Sequence, residues 1–407
     1  MQKEKSLVPQ LRFSEFEGEW RKKKLENVCS FFSGGTPTST KKEYYTGNIA
    51  FIGSGNIFDS SVEKYISEKA FKNSSAKIVG VGDILYALYG ANSGDVAISK
   101  LYGAINQAIL CIRTEEEKKF LYQVLTHKKE SIVRTYLQGG QGNLSAKIVK
   151  KIKIRFPKKE EQQKIANFLS AIDKRIQTLV KKKTLLEQYK KGVMQKIFKQ
   201  ELRFKDDTST SLSTSDGKAY PEWEEKKLGK LTYKVGKKNK ENINYPIYSI
   251  NNQEGFRPQS EQFEGLDSND RGYDISLYKI VNKETFAYNP ARINVGSIGY
   301  SFELNEVIIS SLYVCFKTNK ELEDLYLLAY LDTNKFNKNI LRYEEGGVRQ
   351  YLFYENFSQI KIPLPSNAEQ TKIANFLSAI DISVELVTKK IEHTKTFKKG
   401  LLQQMFV

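Results

Sequence analysis

The sequence predicts an α+β protein built twice over: two β-rich domains separated by two long antiparallel coiled-coil helices, in a pseudo-twofold, circular organisation. Three observations carry this expectation. The ten residues KIANFLSAID at Lys164–Asp173 recur letter for letter at Lys372–Asp381, 208 positions later. Each copy opens a run of apolar residues spaced seven apart, which is the mark of a helix seam. Between the copies lie short apolar runs bounded by Gly, Asn and Pro, which read as strands.

The first domain is assigned to residues 1–157, where NIAFIGSG, DILYALYG, AILCIR and the alternating KIKIRF are the strand candidates and Glu115–Leu137 the single helix. The central helical spacer follows at 158–205. In it Ile165, Ile172, Leu179, Leu186 and Val193 form the seam, with Phe168, Leu169, Ile176 and Ile197 beside it; about 40 residues make a rod of roughly 60 Å. A flexible linker is expected at 206–219, because DDTSTSLSTSDG (Asp206–Gly217) is rich in Ser and Thr. The second domain, 220–365, carries VIISSLYVCFK and one helix near Leu322–Leu341. The C-terminal helical spacer, 366–407, keeps Ile373, Ile380, Val387 and Leu401 in register with Thr394 as an interruption, supported by Val384, Ile391 and Met405. Ser366 and Glu369 have capping-box spacing at its start. A seam usually signals homodimerisation, yet two copies in one chain can satisfy each other internally. Gly192 and Gly400 interrupt the helices at equivalent places, where a close helix approach would offset their poor helix propensity.

The echo extends beyond the helices. QLRF (Gln10–Phe13) answers ELRF (Glu201–Phe204), and EWRKKKL from Glu19 answers EWEEKKL from Glu222. If the halves are related by a pseudo-dyad, Gln10–Phe13 should pack beside the end of the second helix, closing a circle.

The balance of 65 Lys and Arg against 47 Asp and Glu, a net +18, suits a polyanionic partner and makes nucleic acid the leading candidate. Half of that excess sits on residues 158–205, with 14 basic and 5 acidic side chains, so the first rod could also cover phosphates. No long apolar span appears and MQKEKSLVPQ does not read as a signal peptide, which points to a soluble cytoplasmic protein. Cys29, Cys111 and Cys315 lie apart in apolar settings and read as buried thiols; His127 and His393 read as surface residues, and no metal site is expected. Phe51–Gly55 (FIGSG) and Asn289-Pro290 imitate fragments of an S-adenosylmethionine loop and a methyltransferase motif, but neither has its companion residues. No catalytic residue is assigned.

Two diverged domains separated by two near-identical helices resemble the specificity (S) subunits of type I restriction-modification systems. The marks are Gly34-Gly35-Thr36-Pro37 followed by EYYTGNIAFIGSGNI, the YNPARINVGSIG stretch from Tyr288, and IPLPSNAEQTKIANFL from Ile362. The first connector departs from the last of these, reading IRFPKKEEQ. The resemblance implies a non-catalytic subunit with two target recognition domains, each reading one half of a split double-stranded DNA target. The helices would set the gap and dock two methyltransferase (M) subunits, with restriction (R) subunits joining those. No cofactor would be bound by this chain; S-adenosylmethionine, ATP and Mg²⁺ would sit on the partner subunits. The rival readings are a sequence-specific DNA methyltransferase and a homodimeric coiled-coil DNA-binding scaffold.

Base reading needs Arg, Lys, Asn and Gln at loop tips, and phosphate contact needs backbone amides and Lys. In the first domain the candidates are Gly34, Gly35, Thr36, Lys41, Lys42, Tyr89, Asn92, Ser93, Arg134, Gln138, Gln141 and Asn143. In the second they are Asn251, Asn252, Gln253, Arg257, Arg271, Asn289, Arg292, Asn294, Arg342, Arg349 and Gln350. The glycines among them are expected to let the backbone approach phosphate. Replacing Arg349 or Gln141 should then relax one half-site and spare the other.

Overall fold

The computed structural model describes residues 8–137, 143–205, 212–213, 220–252, 254–262, 265–347 and 350–406. Two compact units emerge, one of residues 1–181 with 388–407 and one of residues 182–387. The long helices, Lys159–Phe198 and Asn367–Met405, are therefore shared: each gives its head to one unit and its tail to the other.

In the first unit Cys29–Ser33, Ile109–Thr114, Ile84–Ala87 and Val96–Ile98 form an antiparallel four-stranded sheet in that spatial order. A second sheet runs Tyr65–Ile66, Ile49–Ile52, Gly103–Ile105, Lys77–Val79, with a parallel pairing of Phe51 and Ala104 at its centre. The strand Ile84–Ala87 is buried along its whole length because both of its faces are covered. Alternate side chains point to opposite faces, so Ile84 and Tyr86 join the core with the helix ends, while Leu85 and Ala87 join a smaller core with Ile52, Val79 and Ile105.

The second unit repeats this plan without repeating its letters. Its antiparallel sheet orders Thr232–Val235, Val314–Thr318, Phe286–Tyr288 and Ile298–Tyr300; the other sheet orders Gly255–Pro258, Ile247–Asn251, Val307–Ile309 and Lys279–Val281, again with one parallel pairing, Ile247 with Ile308. Phe286 and Tyr288 face the core that receives the helices, and Ala287 faces the other side. Expected alternation and expected strands are thus found in both domains.

The duplicated letters build one joint in each unit. In the first, the Arg12 guanidinium grips the buried Glu161 carboxylate with Nε to Oε1 at 2.8 Å and Nη2 to Oε2 at 2.7 Å, and Trp20 Nε1 donates to the same carboxylate at 3.2 Å. In the second, Arg203 grips Glu369 at 3.1 and 2.8 Å, and Trp223 Nε1 donates at 2.9 Å. Phe13 meets Phe168 edge-on in one joint, and Phe204 meets Phe376 in the other. The Asp that closes each KIANFLSAID also pairs across helices: Asp173 with Lys398 and Asp381 with Lys190, both at 2.6 Å. Head therefore lies against tail in both units, which is the antiparallel arrangement. Leu11 N–H donates to Gln404 O at 3.0 Å, placing the first LRF segment at the end of the second helix as the pseudo-dyad requires.

The seam is found where the heptads put it. Ile165, Val193, Ile373, Ile380, Val387 and Leu401 are buried, while Ile172, Leu179 and Leu186 are half-buried. The two connectors bend alike despite their different letters. Gln162 Nε2 donates to Pro157 O at 3.0 Å and Gln370 Nε2 to Pro365 O at 2.9 Å. Their Oε1 atoms accept from Glu117 N and Glu323 N respectively.

Several expectations are corrected. The helix expected at Leu322–Leu341 is two, Asp324–Leu331 and Asn334–Tyr343, because the Thr333 hydroxyl accepts from Phe336 N–H and starts a new helix. The first domain holds Lys118–Leu137 and also the short helices Glu68–Lys72 and Ala146–Lys151. Ser366 accepts from Glu369 N–H at 3.4 Å, but the Glu369 carboxylate turns to Arg203 and Trp223, so the capping box is half made. Gly192 and Gly400 serve no close approach, since a Cβ at either would meet nothing within 4 Å. Part of the expected linker is paired: Leu212–Ser213 run antiparallel to Arg203–Phe204, and the rest of that segment lies outside the described residues. His127 is half-buried against the Phe406 ring at 5.8 Å, and burial lowers its pKa. Cys111 and Cys315 are buried and Cys29 half-buried; burial pushes their thiols up to about 12, 11 and 11. Among the described residues no helix is long and apolar enough to cross a membrane.

Candidate nucleic-acid interface

In the second unit two of the expected loops come together around a polar cleft of about 390 Å³. One is the hairpin between Ile247–Asn251 and Gly255–Pro258; the other links Phe286–Tyr288 to Ile298–Tyr300. Glycine makes the approach possible. Gly296 has φ +93°, and a Cβ on it would lie 2.8 Å from Asn252 O. Gly299 and Gly255 face each other, with a Cβ on Gly299 falling 2.9 Å from Gly255 Cα. In the YNPARINVGSIG stretch these glycines thus serve protein packing, and they set Asn289 and Arg292 beside Asn251 and Asn252.

The cleft also takes in Ser249, Gln262 and Tyr313, which sequence reasoning missed. Tyr313 accepts from Ile250 N–H at 3.3 Å, and burial raises its pKa against the lowering effect of Arg292. It therefore stays a phenol and can donate. Ser249 Oγ is buried without a hydrogen-bond partner among the described residues. The sequence held no signal for these three, since each sits in an ordinary strand or turn setting.

The other expected residues of this unit are placed apart from the cleft or spent locally. Arg257 is ion-paired to Glu254 and Glu261, both at 3.1 Å. Arg271 donates Nε to Asp267 O at 3.1 Å and stacks over Tyr273 at 5.3 Å. Arg342 lies over Tyr343 at 5.8 Å, and Gln350 donates to Gly346 O at 2.9 Å. Asn294 is exposed on the single turn Ile293–Val295. Gln253 and Arg349 lie outside the described residues.

In the first unit the loop from Tyr89 to Asp95 is held against the helix Lys118–Leu137 by Lys129 on Asp95 at 2.6 Å. Gly90 N–H reaches Asn143 Oδ1 at 3.4 Å, and Asn92 lies near Gly55 of the FIGSG turn. Tyr89, Asn92 and Asn143 therefore cluster, with Arg134 exposed on the same helix. Ser93 is buried and donates to Leu88 O at 3.1 Å, a role internal to the turn. Gly34 and Gly35 are packing glycines: a Cβ would fall 1.7 Å from Ile105 O and 1.9 Å from Ser75 Oγ. Thr36 donates to Gln107 at 2.7 Å. Lys41 reaches over the Tyr44 ring at 5.1 Å, and Lys42 is exposed. Gln138 and Gln141 lie outside the described residues. Among the described residues no group of three or more His, Cys, Asp or Glu comes together to hold a metal ion.

Both halves of the chain, residues 17–188 and 221–395, match the family described as "Type I restriction modification DNA specificity domain". The chain belongs to the type I DNA specificity family. A relative is the type I restriction enzyme MjaVIII specificity subunit of Methanocaldococcus jannaschii, 25% identical over 96% of this chain and 94% of its own length. The type I restriction-modification S subunit of M. genitalium has the same fold, with a TM-score of 0.60 at 18% identity over 98% of this chain and 99% of that one. A chain from a structure of complex assembly and conformational transition in the type I R-M system has a TM-score of 0.55 at 17% identity, covering 95% and 97%. Membership in the specificity family spans both repeats and bears out the expected α+β architecture.

Proposed function

We propose that this chain is the DNA-reading subunit of a type I restriction-modification complex, each β-rich domain reading one half of a split duplex target. The observation that carries the reading is the contrast within the repeat. The joints Arg12–Glu161–Trp20 and Arg203–Glu369–Trp223 are chemically the same, whereas the loops of the two domains present different side chains on the same strand order. One scaffold with two reading surfaces suits a target of two unlike halves. The chain's net +18 supports a polyanionic partner.

In this reading the chain is non-catalytic and cytoplasmic. The repeated helices dock two methyltransferase subunits, restriction subunits join through those, and S-adenosylmethionine, ATP and Mg²⁺ act on the partners. The test is to reconstitute the chain with its methyltransferase subunits, methylate genomic DNA and map the modified adenines. Two fixed half-sequences separated by a fixed gap are expected. Methylation of a single continuous sequence, or S-adenosylmethionine binding by this chain alone, would refute it.

A further inference from the structure

We propose that the cleft at Ser249, Asn289, Arg292 and Tyr313 holds a backbone phosphate of the duplex and does not read a base edge. The inference rests on the DNA-reading role proposed above and assigns these residues to positioning. The hydrogen-bond inventory of the cleft carries it. Three acceptors around it are already used inside the protein: Asn251 Oδ1 takes Glu254 N–H at 2.6 Å, Asn289 Oδ1 takes Ala291 N–H at 3.0 Å, and Ile250 O takes the Ser297 hydroxyl at 2.9 Å. Asn251 Nδ2 is given to Glu254 and Gln262 Nε2 to Arg257 O, but other donors remain. Tyr313 receives Ile250 N–H on its oxygen and keeps its own proton to give. Ser249 Oγ has no partner among the described residues. Asn289 Nδ2 and the exposed Arg292 guanidinium complete the set, and among the described residues no carboxylate lines the cleft.

A site whose unspent groups are mainly donors, with one cation among them, suits a group made only of acceptors. A phosphodiester is such a group, whereas adenine and cytosine also present amino donors in the major groove that would need acceptors in return. Shape separates the remaining cases, guanine and thymine, whose major-groove edges carry no donor. Base edges lie at the floor of a groove and are reached by side chains that project, while this site is a recess of about 390 Å³ with Ser249 Oγ buried in its wall. The phosphate is the part of a duplex that projects into recesses. Gly296 pins the loop by its contact with Asn252, so the donors are set before DNA arrives.

The experiment uses the complex of this chain with its methyltransferase subunits and two duplexes of equal length, one carrying the mapped target and one lacking it. Dissociation constants are measured from 50 to 200 mM salt for wild type, R292A, R292K and S249A. Loss of one phosphate contact lowers the slope of log K against log salt by about 0.9 and weakens binding about eightfold at 0.1 M salt. R292A is expected to do this equally on both duplexes, R292K to keep the wild-type slope, and S249A to weaken both duplexes with the slope unchanged. A change confined to the target duplex would make Arg292 a base reader and overturn the proposal, as would no change on either. A wild-type complex that prefers no duplex would defeat the reading role itself, and the slope of R292A on any duplex would still decide the cleft.

Discussion

The joint of each unit makes a strong quantitative claim. Glu161 keeps 2% of its side-chain surface exposed and Arg12 keeps 12%, so the pair is held largely away from water. Replacing Arg12 with Ala leaves a buried carboxylate whose remaining donor in that joint is Trp20 Nε1. Removing one partner of a buried pair costs about 3–5 kcal/mol, far above the ~0–1 kcal/mol of an exposed pair. Glu161→Gln should cost less, about 1–3 kcal/mol, because the amide still accepts from Trp20 but leaves Arg12 its charge unpaired. The assay is hydrogen exchange of the full chain resolved by segment, since two units need not unfold together. A loss of 3 kcal/mol opens protected amides more than about 100-fold more often. In R12A the faster exchange should appear in Ile84–Ala87 and Ile109–Thr114; in R203A it should appear in Phe286–Tyr288 and Val314–Thr318. A loss under about 1 kcal/mol, or equal loss in both units from one substitution, would refute the view that each joint holds its own unit.

Gly192→Ala and Gly400→Ala should each stabilise the helices by about 0.5–1 kcal/mol in urea denaturation, because a Cβ there meets open space; destabilisation would show a packing role that the structure does not contain. Asp83 gives a pH prediction. Burial works to raise its pKa, but hydrogen bonds from Arg113 and Gly80 N–H outweigh it and hold it below its ordinary value, so its contribution is present above about pH 3.9 and fades as pH falls. In D83N the acid limb of the stability curve of the first unit should flatten; an unchanged limb would remove Asp83 from the account. Seven residues inserted into each long helix, where it passes between the units, add about 10.5 Å, or about three base pairs at 3.4 Å each. The gap between methylated adenines should lengthen by that amount with both half-sequences kept, and an unchanged gap would end the spacer reading.

The legible part of this protein was the part where particular side chains must meet. Lys164–Asp173 and Lys372–Asp381 are spelled alike because Asp173 must reach Lys398 and Asp381 must reach Lys190. The LRF and EW echoes were visible too, and with them the place of the first LRF segment at the end of the second helix, but their chemistry was not: nothing in a string shows that Arg12, 149 residues from Glu161, closes on it. Glu369 was readable as a capping-box residue, and it failed as one because the half-buried Arg203 and Trp223 offered its buried carboxylate stronger donors than a helix N-terminus. Among the candidate contacts, Asn289, Arg292, Asn251 and Asn252 were chosen by residue type and do share a cleft. Gly34 and Gly35 were chosen by the same logic and are packing residues, because positive φ and close approach leave the same letter in a sequence whatever they approach.

The same contrast explains how the two domains could drift apart in sequence and still share a strand order. A sheet asks its strands only for alternation and volume: Ile84-Leu85-Tyr86 and Phe286-Ala287-Tyr288 place different side chains on the same two faces, and either set closes a core. A bidentate Arg–carboxylate joint has no such slack, since lysine lacks the planar fork and aspartate lacks the reach. Letters are therefore held at the joints and released in the sheets. If binding surfaces are built on the released part, a new reading surface can arise by changing loops between strands without touching Arg12, Glu161, Arg203 or Glu369. Exchanging residues 232–318, which run from the first to the last strand of the second antiparallel sheet, for those of a relative should then change one half-sequence of the methylated target. The other half should stay as it was. A chimaera that folds by hydrogen exchange and changes both halves would show that reading is not divided between the domains.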